Sequence, residues 1–204
     1  MRINKKKIIY LISPEIINKS FYKELIKIFE LGIVGLFQLR IKNEKIKKKI
    51  LISNKIQKIC KKYKVKFIIN DDVFLAKKLD ADGCHLGQND MSLLEAREIL
   101  GKKIIGITCH NSIKLAKTAV KNKADYIAFG AFNFSKTKKI KYKASISLLK
   151  RSKKIIKTPI VAIGGINNNN YKKLLLNKAN FLAISGYIWN NKKLNPKEAL
   201  NKLK

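Results

Sequence analysis

Residues 65–108 read VKFIINDDVFLAKKLDADGCHLGQNDMSLLEAREILGKKIIGIT, and one pattern recurs along them. Val65–Asn70, Gly83–Leu86 and Ile104–Thr108 are short, rich in β-branched residues and almost continuously apolar. A strand with one face in water alternates apolar and polar residues; one buried on both faces does not, and the second kind belongs to a parallel sheet. Between the last two runs, Leu94, Ile99 and Leu100 mark an apolar stripe. Ser92, with Glu95 three residues later, opens it with a capping-box pattern, so a helix is predicted there.

The same alternation extends outward to both ends. Further strand candidates are Ile8–Ile12, Gly35–Ile41, Tyr126–Ala131, Ile160–Ile163 and Phe181–Ser185. Helical stripes fall at Ile46, Ile50, Ile56, Cys60 and Tyr63, and again at Ile113, Ala116, Ala119 and Val120 with Asn111 or Ser112 as cap. Asn167 to Asn170 precede a further helix over Tyr171–Leu176. No low-complexity linker interrupts the series, so residues 1–204 are expected to form a single domain. About eight β/α units in this length point to a compact (β/α)8 TIM barrel. A doubly wound open sheet is the alternative, since alternation alone does not separate the two. The first strand lacks a GxGxxG turn, which weakens the dinucleotide-binding form of that alternative.

Composition narrows the function. The chain carries 46 Lys and Arg against 13 Asp and Glu, a formal charge of +33. Such a balance suits a nucleic-acid surface, but the lysines are spread along the chain instead of gathering in one block, and Ile and Asn are abundant too. Compositional bias is therefore preferred, and nucleic acid is not expected as a partner. The field still draws in anionic small molecules. No apolar run reaches the roughly 18 residues of a membrane span, and Ile8–Ile12 is too short for a signal-peptide core. Three cysteines, Cys60, Cys84 and Cys109, without CxxC spacing support neither a disulfide framework nor a zinc site. A cytoplasmic location is expected.

In a barrel, the C-terminal ends of the strands converge on the active site. Those ends carry Gln38, Arg40 and Lys42 on one side of the second strand, then Asn70-Asp71-Asp72, His85 to Asp90, Thr108-Cys109-His110, Ser135 to Lys138, Gly164-Gly165 and Ser185-Gly186. Asp72 is read as a helix cap, and Asp90 could cap the next helix. Two carboxylates at neighbouring strand ends supply the hard oxygen ligands that Mg²⁺ takes. The glycines after the seventh strand and Ser185-Gly186 after the eighth match the phosphate site of many barrels, built from backbone N–H groups. His85 reads as a satisfied core histidine. Cys109 and His110 are adjacent on a strand and point to opposite faces, so they make no nucleophile–base pair. What remains suits chemistry on a diphosphate held through Mg²⁺, with a second phosphate at the last two strands.

At these residues the chain resembles the thiamine phosphate synthase family. The resemblance spans Leu11-Ile12-Ser13-Pro14 to Ile184-Ser185, and is strongest at Gln38–Lys42, Asn70-Asp71, Ala81–Asp90 and Ala124–Gly130. It implies a TIM barrel and a transferase. That enzyme joins 4-amino-2-methyl-5-(diphosphooxymethyl)pyrimidine to 4-methyl-5-(2-phosphooxyethyl)thiazole, giving thiamine phosphate and diphosphate. The resemblance further implies that Gln38, Arg40, Lys42, Asn70, Thr108 and Lys138 hold the pyrimidine diphosphate, with Arg40, Lys42 and Lys138 catalytic. Asp71 and Asp90 fall at the Mg²⁺ positions, Ser135 and Thr137 on the thiazole-phosphate loop, and Gly165, Ile184 and Ser185 at the remaining phosphate contacts. Departures are small: Ser135 and Thr108 exchange one hydroxyl residue for another, Asn89 replaces a frequent acid, and Ala131 a common proline. A thiazole tautomerase on the same barrel is the alternative, and it has no diphosphate to expel. The partners expected are the two small substrates, with no membrane; a homo-oligomer is compatible with all of this.

Overall fold

The computed structural model describes residues 7–134 and 141–204. Strands and helices alternate: β1 (Ile9–Ile12), α1 (Lys19–Phe29), β2 (Val34–Leu39), α2 (Ile46–Lys62), β3 (Lys66–Asn70), α3 (Val73–Lys78), β4 (Gly83–Leu86) and α4 (Leu93–Leu100). Then follow β5 (Ile104–Thr108), α5 (Ile113–Lys121), β6 (Tyr126–Phe129), α6 (Ile146–Ile155), β7 (Ile160–Ile163), α7 (Tyr171–Leu176), β8 (Phe181–Ile184), α8 (Gly186–Trp189) and α9 (Pro196–Asn201).

Each strand pairs in parallel with the next, and β8 pairs with β1 through Ile9–Leu182 to Leu11–Ile184. That last ladder closes the sheet and excludes the doubly wound alternative. Closure divides the apolar residues into two layers. Leu11, Phe37, Phe67, Ile69, Ile105, Ile127, Phe129 and Leu182 point outward and pack against the helices. Tyr10, Leu36, Ile68, Tyr126, Val161 and Phe181 fill the interior. Both sets are buried, which is why the strands read as continuously apolar. Interior filling constrains β5: a Cβ on Gly106 would overlap the Tyr126 ring, so glycine is what lets that ring lie across the barrel.

Helix starts are fixed locally. Asn18, Asp72, Ser92, Ser112, Ser145 and Asn195 each accept a hydrogen bond from a backbone N–H in the first turn, a contact typically worth about 1 kcal/mol. Asp72 is thus the cap expected of it, while Asp90 is not a cap; Ser92 takes that place. In α4 the expected stripe holds at Leu100, which is buried, and at Ile99, which is half-buried against the core, but Leu94 is exposed, and Leu93 and Ala96 are buried in its place. In α2, Ile46 is likewise exposed and Ile52 is buried. Among the described residues, no helix is long and apolar enough to cross a membrane.

Candidate active site

Strand alternation sorts the end residues. Leu36 faces the interior, so Gln38 and Arg40 continue that side; Ile68 brings Asn70 with it, and Gly106 brings Thr108. Gln38 is buried and its amide Nε2 donates to Tyr10 Oη at 2.7 Å. The main chain at Arg40 is pinned by Ser13, whose Oγ accepts from Arg40 N–H at 2.9 Å, while Ser13 N–H donates to Gln38 O at 2.9 Å. The Arg40 guanidinium lies 3.3 Å from the Glu15 carboxylate. Ser13 and Glu15, on the loop after β1, belong to this cluster. Neither was singled out in the sequence, because a serine and a glutamate in a loop carry no pattern of their own.

The acidic pair sits beside these cations. Asp71 has a left-handed backbone, φ 63°, and its N–H donates to His85 O at 2.8 Å. That bond ties the end of β3 to β4 and turns the Asp71 carboxylate toward Lys42, whose Nζ is 3.1 Å from Oδ2. Asp90 Oδ2 accepts from Gly87 N–H at 2.6 Å, closing the turn after β4. Burial pushes the Asp90 carboxyl above the usual carboxylate range; the Gly87 N–H opposes this, and the neighbouring Asp71 side chain adds to it. Two adjacent carboxylates, one already raised, form a site whose ionisation a divalent cation would favour. Among the described residues no cluster of three or more His, Cys, Asp or Glu forms. Mg²⁺ is commonly held by one or two carboxylates with substrate phosphates and water completing the shell, and the Asp71–Asp90 pair supplies oxygen donors of that kind.

His85 is buried and bonded at both ring nitrogens, Nδ1 to Tyr126 Oη and Nε2 to Thr108 Oγ1, each at 2.9 Å. Burial pushes its imidazole down to about 4, with the Asp71 charge opposing. The core-histidine expectation holds, but this histidine also touches a candidate substrate residue. Cys109 is enclosed in the outer core, with its thiol pushed up to about 12 by burial. His110 instead stacks on Tyr142, with ring centroids 4.1 Å apart. The two share no chemistry.

At the last strands the picture is mixed. Ser185 Oγ donates to Ser13 O at 3.2 Å, linking β8 to the loop after β1. The Ile184 side chain packs outward among the helices, which leaves only its main chain for the expected phosphate contact. Gly165 has φ 59°, and a Cβ there would collide with the backbone of Asn133 and Phe134. The close approach that demands glycine at this position is therefore the chain's own loop after β6. Ser135, Thr137 and Lys138 lie outside the described residues.

Comparison with known proteins decides the family. A family model described as thiamine monophosphate synthase matches residues 9–188. The chain belongs to the thiamine monophosphate synthase family. A thiamine-phosphate synthase of Pelagibacter ubique is 62% identical over 207 residues, covering 100% of both chains. A second, from Erythrobacter litoralis, is 41% identical over 186 residues, covering 89% of this chain and 87% of its own. Among solved structures, a thiamine phosphate pyrophosphorylase from Pyrococcus furiosus superposes with a TM-score of 0.86 at 27% identity, covering 98% of this chain and 94% of that one. A 3-hexulose-6-phosphate synthase matches at 13% identity and TM-score 0.69, which shows the shared barrel alone. Membership of the thiamine monophosphate synthase family makes the chain an enzyme of the transferase class.

Proposed function

We propose that the chain condenses 4-amino-2-methyl-5-(diphosphooxymethyl)pyrimidine with 4-methyl-5-(2-phosphooxyethyl)thiazole, releasing thiamine phosphate and diphosphate. One observation carries this beyond family membership. Arg40 and Lys42 stand at the same barrel rim as the Asp71–Asp90 pair, with Lys42 already on Asp71. Cations beside a carboxylate pair suit a leaving diphosphate and the Mg²⁺ that travels with it.

Asp71 and Asp90 would hold the ion, whose charge would stabilise the departing diphosphate oxygens. Arg40 and Lys42, with Lys138 by resemblance, bind the same oxygens and stabilise the charge that builds on them as the C–O bond breaks. Both bond electrons leave with the diphosphate. The aminopyrimidine ring delocalises the positive charge left on its methylene carbon, and the thiazole nitrogen lone pair closes the new C–N bond. No proton moves in that sequence. Accordingly, the buried neutral His85 and the enclosed Cys109 are not asked to act as base or nucleophile. Gln38, Asn70 and Thr108 orient the pyrimidine, while Gly165 and Ser185 with the Ile184 main chain bind the thiazole phosphate.

A thiazole tautomerase has no diphosphate to expel, so cations beside a carboxylate pair favour the synthase over it. Incubation with both substrates and Mg²⁺, followed by mass spectrometry for thiamine phosphate and proton NMR of the thiazole phosphate, separates the two. Thiamine phosphate is the expected product; isomerised thiazole phosphate without it would favour the tautomerase.

A further inference from the structure

Gln38, Tyr10, Tyr126, His85 and Thr108 form one hydrogen-bonded chain across the barrel interior. Gln38 Nε2 donates to Tyr10 Oη at 2.7 Å, and Tyr10 Oη meets Tyr126 Oη at 2.7 Å. Tyr126 Oη meets His85 Nδ1 at 2.9 Å, and His85 Nε2 meets Thr108 Oγ1 at 2.9 Å. Tyr10 and Tyr126 are enclosed within the interior apolar cluster, so solvent is not at hand to repair a mismatched hydrogen.

The hydrogen count leaves the chain two consistent directions. A phenol has one proton to give, and a neutral imidazole has one N–H and one acceptor nitrogen. With Gln38 donating to Tyr10, the Tyr10 proton goes to Tyr126 and the Tyr126 proton to His85 Nδ1. His85 then carries its hydrogen on Nε2 and donates to Thr108, whose own proton points away from the histidine. In the opposite direction every arrow turns, and Gln38 presents its oxygen to Tyr10. A chain with mixed directions leaves a buried donor or acceptor unsatisfied, which is costly in an apolar interior.

We propose that Tyr10, Tyr126 and His85 are positioning residues that form a polarity relay, locking Gln38 and Thr108 into complementary roles toward the bound molecule. Gln38 commits its amide nitrogen to the relay and keeps its oxygen to accept from the ligand; Thr108 keeps its proton to donate. The identity of that ligand rests on the proposed reaction. The aminopyrimidine diphosphate carries an exocyclic amine as donor, with ring nitrogens and phosphate oxygens as acceptors. A reversed relay would set N–H against N–H and a lone pair against a lone pair.

The relay is tested by the tautomer of His85, read from long-range ¹H–¹⁵N spectra of protein labelled at its two histidines. The wild type should carry the His85 hydrogen on Nε2. Gln38→Glu, measured at pH 8, replaces the donor at the far end by a carboxylate acceptor, and should move that hydrogen to Nδ1. Adding Tyr10→Phe cuts the connection and should restore Nε2–H. A wild-type Nδ1–H tautomer, or a Gln38→Glu spectrum identical to wild type, would overturn the proposal. Should Gln38→Glu fail to fold, Tyr126→Phe serves instead. It should lower kcat/KM for the pyrimidine diphosphate about tenfold, the scale of one lost hydrogen bond, and leave the thiazole phosphate KM within about twofold. In a Thr108→Val background the same change should add less than about twofold, because the coupled partner is gone. Equal losses for both substrates, multiplying with Thr108→Val, would reduce the relay to ordinary packing. A protein that makes no thiamine phosphate yet shows the tautomer and its reversal would refute the proposed reaction and uphold the relay.

Discussion

Lys42 Nζ lies 3.1 Å from Asp71 Oδ2, so a cation from the end of β2 is held against a carboxylate from the end of β3. Asp71 in turn is anchored through its N–H to the carbonyl of His85 on β4. Three neighbouring strands thereby fix one charge pair. With both side chains partly exposed, the pair contributes little to stability, and its consequence is positional: the Lys42 ammonium is kept beside the proposed metal ligand.

Loss of that ligand should show as a metal effect. Asp71→Asn should raise the Mg²⁺ concentration for half-maximal activity by at least the roughly 10–100-fold that follows loss of an outer partner of a metal ligand. A titration of activity against Mg²⁺ checks this. An unchanged midpoint would remove Asp71 from the site.

Lys138 lies outside the described residues, and its role rests on the family pattern. Lys138→Ala should lower kcat about 10²–10³-fold, the usual cost of removing one preorganised charge-stabilising group. Exposed Lys141 nearby carries no assigned role, and Lys141→Ala should stay near wild type. Steady-state kinetics on the two variants decide between a placed lysine and one of many.

His85 makes stability depend on pH. Its folded value, near 4, lies below the ordinary 6.5, so the unfolded chain binds the proton more readily. The stabilisation is complete above about pH 6.5 and is lost as pH falls toward 4, amounting to about 2 kcal/mol between pH 7.5 and pH 5. Urea unfolding at those two pH values measures it. His85→Gln should flatten this part of the profile, and an equal slope in both proteins would assign it to other groups.

Gly106→Ala tests the interior packing. The added methyl would overlap the Tyr126 ring, and forced overpacking of a core typically costs about 1–3 kcal/mol. Denaturant unfolding should show a loss of that size, with the pyrimidine KM rising as Tyr126 is displaced.

Much of this was legible in the sequence. Ile104–Thr108 and Gly83–Leu86 were delimited to the residue, because strands buried on both faces are short, apolar and bounded by turns. Asp72 as a cap was legible from its place before α3, whereas Asp71 as a candidate ligand came from the family resemblance. Other features were hidden. Leu93 and Leu94 are adjacent leucines, and only packing against the neighbouring elements decides which is buried. Tyr10 and Tyr126 looked like ordinary strand aromatics; their hydroxyls meet only because barrel closure brings β1 and β6 to opposite walls of one interior. A signal was present at Gly106, a glycine amid β-branched residues, which marks a place where something large must pass.

One measurement tests the proposed reaction most directly: thiamine phosphate formed and diphosphate released by the purified protein, followed together with both substrates and Mg²⁺ present. The two products should appear in equal amounts, and omitting the thiazole phosphate or adding excess chelator should abolish thiamine phosphate. No thiamine phosphate at any Mg²⁺ concentration, or undiminished synthesis in excess chelator, would contradict it.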